Sequence, residues 1–198
     1  MELFAPDPPT CPPGLIYVKD WLTSSEQNIL FDEVESREFD TTLSRRVQHY
    51  GAKYNYDSSV VEEIGSAPAI PPELKKLGSR LVLDGYFKRE PDQVIVNEYV
   101  GDQGIASHTD RDSFGEAIAT ISLIESWSML FRGPLDEKIE VLLEKGSLAI
   151  MTGPSRHTWC HEIPKRKFEK QSGLTRSRGR RISLTYRTLN STDGARSH

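Results

Sequence analysis

A mainly β chain with flanking helices, built as an antiparallel sandwich or barrel, is the fold class this sequence predicts. Three observations predict it. After Pro91 the text breaks into short β-prone runs of similar length. Turn residues punctuate those runs: Gly101, Gly104, Gly115, Gly133-Pro134, Gly146, Gly153-Pro154 and Gly173. Helical periodicity is confined to two segments before Pro91, which leaves the helices to pack on one outer face of the strands.

Residues 1–14 hold Pro6, Pro8 and Pro9 and read as an irregular arm. A helix is expected from Ser24 to about Ser36. Ser24 is its expected cap, Gln27 completes a capping box, and Ile29, Leu30, Phe31 and Val34 supply the apolar face. A second helix is expected to start after Pro71-Pro72, run through Leu74, Leu77, Leu81 and Val82, and stop near Gly85. The expected strands are 93–100, 117–124, 126–132, 139–143, 147–152, 157–163 and 180–188. Between the last two, 164–179 reads as a long polar loop, and such loops are usually functional or disordered.

With 198 residues, one domain spanning 1–198 is expected. A 36% hydrophobic and 27% charged composition excludes a fibrous or disordered chain. No apolar run approaches the roughly 20 residues of a membrane span, so no membrane partner is expected. Cys11 and Cys160 form no CxxC pair and fit free thiols in a reducing cytoplasm, and the N-terminus lacks the pattern of a secretory signal. A monomer is expected. The net charge of −4 argues against a phosphate-binding surface at large. Yet 165–181 concentrates Lys165, Arg166, Lys167, Lys170, Arg176, Arg178, Arg180 and Arg181 against Glu169 alone. That run is either a solvated loop or a local phosphate-contacting patch.

His108-Thr109-Asp110 places an imidazole and a carboxylate at i and i+2, on one side of an extended chain. His161, at the end of a later expected strand, supplies a candidate third ligand. Two histidines and a carboxylate leave three positions open on a metal, which suits non-haem Fe(II). Taken alone, the His-x-Asp pair is as well read as two solvated residues before a turn. In the last strand, Arg181, Ser183, Thr185 and Arg187 share a face. Buried guanidiniums are costly without an anion, and a dicarboxylate such as 2-oxoglutarate offers one carboxylate per arginine. The other reading is an edge strand that solvates this face and buries Ile182, Leu184 and Tyr186. Asn97 and Tyr99 form a second i, i+2 polar pair that could complete the hydrogen bonds of the same dicarboxylate, or be a turn amide and a core phenol.

In this order and spacing, Asn97-x-Tyr99, His108-x-Asp110, His161 and Arg181-x-x-x-Thr185-x-Arg187 resemble the AlkB family of iron- and 2-oxoglutarate-dependent dioxygenases. The lead-ins Gly104-Ile105-Ala106-Ser107 and Gly153-Pro154-Ser155-Arg156 agree, and the likeness covers roughly residues 40 to 190. The resemblance implies a double-stranded β-helix (jelly roll) with a nucleotide-recognition lid at approximately 40–70. It implies Fe(II) on His108, Asp110 and His161. It implies 2-oxoglutarate held by Arg187 and Tyr99 at one carboxylate and by Arg181 and Asn97 at the other, with O₂ as co-substrate. Ser183 stands where the family often has Asn, a mild departure because a hydroxyl can still donate or accept.

The same resemblance implies oxidation of alkyl groups on nucleic-acid bases in DNA or RNA. Arg45 and Tyr54 fall in the lid, where Tyr56 is the residue expected to stack on a flipped-out base. The competing view of these tyrosines is half-buried β residues. Dealkylating members carry an acid at the place of Asp112, where it can accept from an exocyclic amine and favour a cationic base such as 1-methyladenine or 3-methylcytosine. A solvated turn acid is the competing view. Repair-type dealkylation is therefore the leading expectation. The alternative is hydroxylation of a modified wobble uridine in tRNA, because 45–51, 91–93 and 151–159 resemble the AlkB domain of the animal enzyme with that activity.

Overall fold

The computed structural model describes residues 11–55, 60–64, 67–171 and 173–190, with 53–55 and 60–64 described by backbone alone. In chain order the elements are β1 (Leu15–Val18), α1 (Ser24–Glu35), β2 (Arg46–Tyr50), β3 (Ala52–Asn55), β4 (Val60–Ile64), α2 (Pro72–Leu83), β5 (Gln93–Val100), β6 (Ile105–His108), β7 (Phe114–Leu123), β8 (Trp127–Arg132), β9 (Lys138–Leu143), β10 (Leu148–Met151), α3 (Gly153–His157), β11 (Cys160–Ile163), β12 (Phe168–Gln171), β13 (Leu174–Ser177) and β14 (Arg180–Leu189).

The strands form a six-stranded sheet, β1-β10-β7-β14-β5-β2, and a four-stranded sheet, β6-β11-β8-β9. All pairs are antiparallel. From β5 onward the chain passes back and forth between the two sheets, which is the winding of a jelly roll. Tyr99, Ile118, Ala149 and Met151 of the large sheet pack against Trp127, Met129, Phe131, Val141, Leu143 and Ile163 of the small one.

The helices cover the outer face of the large sheet, as expected. Helix α1 turns Leu30 and Val34 inward and α2 turns Leu74, Leu77 and Leu81, at the i, i+3, i+4 spacing of an apolar stripe. They meet Val94, Val96, Ala119, Ile121, Ile182, Leu184 and Tyr186 in one cluster. Each fully buried large side chain there contributes roughly 1.5–3 kcal/mol. Gly78 is what lets α2 sit so close, since a Cβ there would come within 3.2 Å of Pro91 and 3.9 Å of Tyr186. The Tyr186 hydroxyl donates to the Leu74 carbonyl at 2.9 Å.

Several local expectations are corrected. The cap of α1 is Thr23, not Ser24: Thr23 accepts from the Glu26 amide, and the Glu26 carboxylate accepts from the Thr23 amide at 2.7 Å. The strand expected at 157–163 starts only at Cys160, after the short helix α3. The expected loop 164–179 contains a hairpin, β12 paired with β13. Residues 46–50 are the edge strand of the large sheet, in register with β5, while β3 and β4 form a separate hairpin.

Candidate metal and co-substrate site

Strand β6 ends on His108, and β11 places His161 directly opposite it in the antiparallel register. Opposed residues share a face, so the two imidazoles lie side by side, ring centroids 4.4 Å apart. Asp110 follows in the loop after β6, and its Oδ2 lies 3.6 Å from His161 Nε2. His108 Nδ1 lies 2.8 Å from the Ala106 carbonyl. Donation there puts the proton on Nδ1 and leaves Nε2 with a free lone pair, the orientation typical of a metal-ligating histidine. Burial lowers the His161 pKa to about 4, so this imidazole is neutral near pH 7. Burial alone would raise Asp110. The charges of Arg187 and Arg156, with those of the two imidazoles in acid where they are protonated, outweigh it and hold the carboxyl below its usual range.

Strands β5 and β14 supply the polar floor. Tyr99 pairs with Arg181 and Asn97 with Ser183 in direct register, so the two polar pairs singled out in the sequence oppose each other residue by residue. Both faces of β14 are buried. It lies between β7 and β5, with Ile182, Leu184 and Tyr186 under the helices and Arg181, Ser183 and Thr185 inside the roll. The solvated edge-strand alternative is thereby excluded.

Arg181 is fully buried and donates from Nη2 to Ser122 Oγ at 2.9 Å, with its guanidinium 5.7 Å from the Tyr99 ring centre. Among the described residues it forms no ion pair, and burial pulls its pKa down to about 10, still charged at neutral pH. Arg187 donates to Gln93 Oε1 at 3.0 Å and to Asp110 Oδ1 at 2.6 Å. Four buried atoms around this centre have no hydrogen-bond partner among the described residues: Arg181 Nε, Arg187 Nε, Asp110 Oδ2 and His161 Nδ1. An unsatisfied buried polar atom costs roughly 1–3 kcal/mol. Two guanidinium Nε–H groups without acceptors and a carboxylate oxygen without a hydrogen bond are what an anionic chelator and a metal would satisfy. The donor set fits Fe(II) and a dicarboxylate.

Two cavities meet at this centre. The inner one, about 50 Å³, is lined by Tyr99, Thr120, Met129, Arg181, Ser183 and Thr185. The outer one, about 780 Å³, is lined by Arg45, Thr109, Arg111, Asp112, Phe114 and Cys160. Asn97, Ile105, His108, Asp110 and Arg187 border both. Asp112 is exposed on the outer rim, and its carboxylate forms no ion pair among the described residues. Arg45 donates to Asn97 Oδ1 at 2.9 Å, tying the segment before β2 to the polar floor. Tyr54 is described by backbone alone, across from Val61, and Tyr56 lies outside the described residues.

Sequence reasoning missed three contributors. Gln93 and Ser122 hold the two arginines. Thr120 and Ser122 carry a legible signal, polar residues at i and i+2 inside an otherwise apolar strand. Arg156 is the third: fully buried, it donates to the carbonyls of Asp110 (2.8 Å), Arg111 (2.5 Å), Phe114 (3.2 Å) and Gly115 (3.2 Å). It fastens the loop that carries Asp110 and Asp112.

The family model of the 2OG-Fe(II) oxygenase superfamily matches residues 14–187. The chain belongs to that superfamily. Its relatives set it in the AlkB family. It is 33% identical over 203 residues to tRNA (carboxymethyluridine(34)-5-O)-methyltransferase ALKBH8 of Mus musculus, a match covering 90% of this chain and 31% of that protein. It is 28% identical over 202 residues to the Alkylated DNA repair protein ALKBH8 homolog of Arabidopsis thaliana, covering 89% of this chain and 58% of that one. The chain thus spans about a third of the length of the mouse relative. The solved structure of OsALKBH1 superposes with a TM-score of 0.71 at 21% identity, over 90% of this chain and 98% of that one, which shows a shared fold. As a member of the family, the chain is a dioxygenase that uses Fe(II), 2-oxoglutarate and O₂. No helix among the described residues is long and apolar enough to cross a membrane.

Proposed function

We propose that this chain oxidatively dealkylates nucleic-acid bases in DNA or RNA, with 1-methyladenine and 3-methylcytosine as fitting substrates. The observation that carries this reading is Asp112, an exposed carboxylate on the rim of the outer cavity, two residues from Asp110 and with no ion pair among the described residues. A carboxylate there accepts from an exocyclic amine, which adenine and cytosine offer and uracil does not. It also favours the positive charge those two methylated bases carry. A cavity of about 780 Å³ has room for a flipped-out base.

In this reading His108, Asp110 and His161 hold Fe(II). Arg187 and Tyr99 take one carboxylate of 2-oxoglutarate, and Arg181 and Asn97 the other end, with the Ser183 and Thr185 hydroxyls beside them. Bound iron and 2-oxoglutarate supply, with O₂, the oxidation of the alkyl C–H bond, giving succinate, CO₂ and, from an N-methyl group, formaldehyde. The protein's own share is positional and electrostatic. Burial keeps His161 unprotonated, and surrounding cations keep Asp110 ionised. Arg156 keeps the Asp110–Asp112 loop in one shape. The segments of 40–70 that flank the edge strand 46–50 act as the nucleotide-recognition lid, and Arg45 contributes to the outer cavity wall.

Hydroxylation of a modified wobble uridine in tRNA is the second reading. What favours it is the 33% identity to the mouse relative, whose name concerns carboxymethyluridine 34 of tRNA. Against it stands the same Asp112, which would face the O4 acceptor of a uracil ring. The deciding experiment is a panel of methylated DNA and RNA oligomers and of tRNA, with products resolved by mass spectrometry. Formaldehyde release from a methylated oligomer supports dealkylation. Oxidation confined to tRNA uridine replaces it with the second reading.

A further inference from the structure

We propose that Lys165 and Lys167 form a phosphate-contacting wall beside the outer cavity, where they grip the backbone of the strand whose base enters the site. This rests on the nucleic-acid reading above and narrows it to two side chains.

The basic run at 165–181 is not one patch. Arg178 is enclosed and paired with Glu169, a buried carboxylate that also accepts from the Ser128 amide and hydroxyl. Arg166 lies 2.5 Å from both Glu140 and Glu169. Arg180 is paired with Glu35 and Glu98, and Arg181 is buried inside the roll. Arginines committed to carboxylates are poor phosphate ligands, because each new contact must displace an existing one. Lys165, Lys167, Lys170 and Arg176 are exposed and form no ion pair among the described residues.

Position separates these four. Lys165 and Lys167 line a cavity of about 440 Å³ together with the carboxylate-paired Arg166 and with Ser44, Asp102, Gln103 and Gly104. It adjoins the outer cavity along the chain at two places: Ser44 precedes Arg45 and Gly104 precedes Ile105, and Arg45 and Ile105 line the outer cavity. From His108 back to Ile105 along β6 is three residues, about 10 Å of strand. A base flipped toward His108 keeps its own strand at the rim, within reach of neighbouring phosphates on this wall. Asp102 is the one carboxylate opposite, so the free charge here is two lysines against one acid.

The wall is also prebuilt. The Arg178 guanidinium donates to the Pro164 carbonyl at 2.6 Å, and the Arg178 amide donates to the Lys167 carbonyl at 2.9 Å, clamping both ends of 164–167. Gln103 donates to the Ser44 carbonyl, fixing the facing side. A Cβ on Gly104 would fall 2.2 Å from the Ile163 carbonyl oxygen and 3.1 Å from the Lys165 amide, so only glycine permits the approach that brings the two sides together. Lys170 and Arg176 sit instead on the β12–β13 hairpin, outside this cavity.

The test is a salt titration of binding to a labelled single-stranded oligonucleotide, for the wild type, for Lys165→Gln/Lys167→Gln, and for Lys170→Gln/Arg176→Gln as a control of equal charge change. Poly-glutamate serves as a second probe, and thermal melting checks that each variant is folded. The first pair is expected to bind roughly tenfold more weakly on every sequence, with a log K against log salt slope shallower by about 1.4. The control pair is expected to keep the wild-type slope. Equal losses in both pairs, or an unchanged slope in the first, overturn the wall while leaving nucleic-acid binding intact. Tight binding of poly-glutamate by the wild type reassigns it to an acidic protein partner. A wild type that binds no oligonucleotide at all removes the underlying reading instead.

Discussion

Arg187 donates to Asp110 Oδ1 at 2.6 Å, so a residue read as an anion-holder grips a residue read as a metal ligand. The contact pairs one guanidinium nitrogen with one carboxylate oxygen and leaves Arg187 Nε and Asp110 Oδ2 without partners among the described residues. Arg187 itself stands at the boundary of the two cavities. A carboxylate entering between them would exchange one charge-assisted partner of Arg187 for another.

Removing that guanidinium should therefore weaken the co-substrate. Arg187→Ala is expected to raise the 2-oxoglutarate Kd by roughly 10- to 100-fold, the worth of a hydrogen-bonded charge contact of about 1.5–3 kcal/mol. Arg187→Lys should recover only part of this, because a point charge does not reproduce the planar fork. Isothermal titration calorimetry with 2-oxoglutarate reads both. Wild-type affinity in the two variants would take Arg187 out of the co-substrate site.

Strand β14 shows what the sequence disclosed and what it could not. Alternation over 180–189 makes the two faces legible, but alternation usually means one buried face and one wet one. Here both are buried, because helices cover one side and a polar cavity fills the other. That fact lies in the sheet order, not in the strand. The cap of α1 failed for a smaller reason. Thr23 with Glu26 and Ser24 with Gln27 are both capping-box patterns, and Gln27 is engaged with the Leu22 carbonyl instead. The β12–β13 hairpin was hidden because Phe168 and Leu174 are exposed and give no core-facing period. Its anchor, Glu169 with Arg178, is a buried pair whose burial only the tertiary structure reveals. The residues proposed for metal and co-substrate stood out in the sequence because polar and charged side chains are unusual for the inside of a sheet.

Acid should destabilise the outer face of the large sheet through Glu98. This carboxylate is buried, and pairing with Arg46 and Arg180 holds its pKa below the usual range despite burial pushing the other way. A depressed carboxyl contributes stability above its unfolded pKa of about 4.3 and loses it as pH falls through the lower folded value. Glu98→Gln is expected to cost about 2 kcal/mol at pH 7. The gap to wild type should close as pH drops below about 4. Urea unfolding at stepped pH measures it, and a gap independent of pH would show that shape, not charge, is what Glu98 supplies.

Arg156 should behave as a positioning residue for the Asp110 loop. Arg156→Met keeps bulk but leaves four carbonyl contacts unmade. The expected loss is on the order of 3 kcal/mol in unfolding free energy. The informative readout is local. Amide exchange at 110–115 should accelerate well beyond that of β10 or β14, and Arg156→Lys should slow it only partly. Uniform acceleration across the sheet would assign Arg156 to global stability alone.

The sharpest discrimination lies in Asp112, because its role depends on which base is presented. Asp112→Asn keeps size and replaces an anion with a group that both donates and accepts. If the carboxylate receives an exocyclic amine from a cationic base, the change should reduce kcat/KM on 1-methyladenine and 3-methylcytosine by roughly 10- to 100-fold, the range of one charged hydrogen bond. Bases without that amine should lose little, and some should gain, since an amide can donate to a carbonyl the carboxylate repelled. A modified uridine falls in that second group, with O4 where cytosine has its amine. The ratio between the two substrate classes, measured side by side on one preparation, therefore separates dealkylation from uridine hydroxylation more sharply than either rate alone. Parallel losses on both classes would return Asp112 to a loop-forming role.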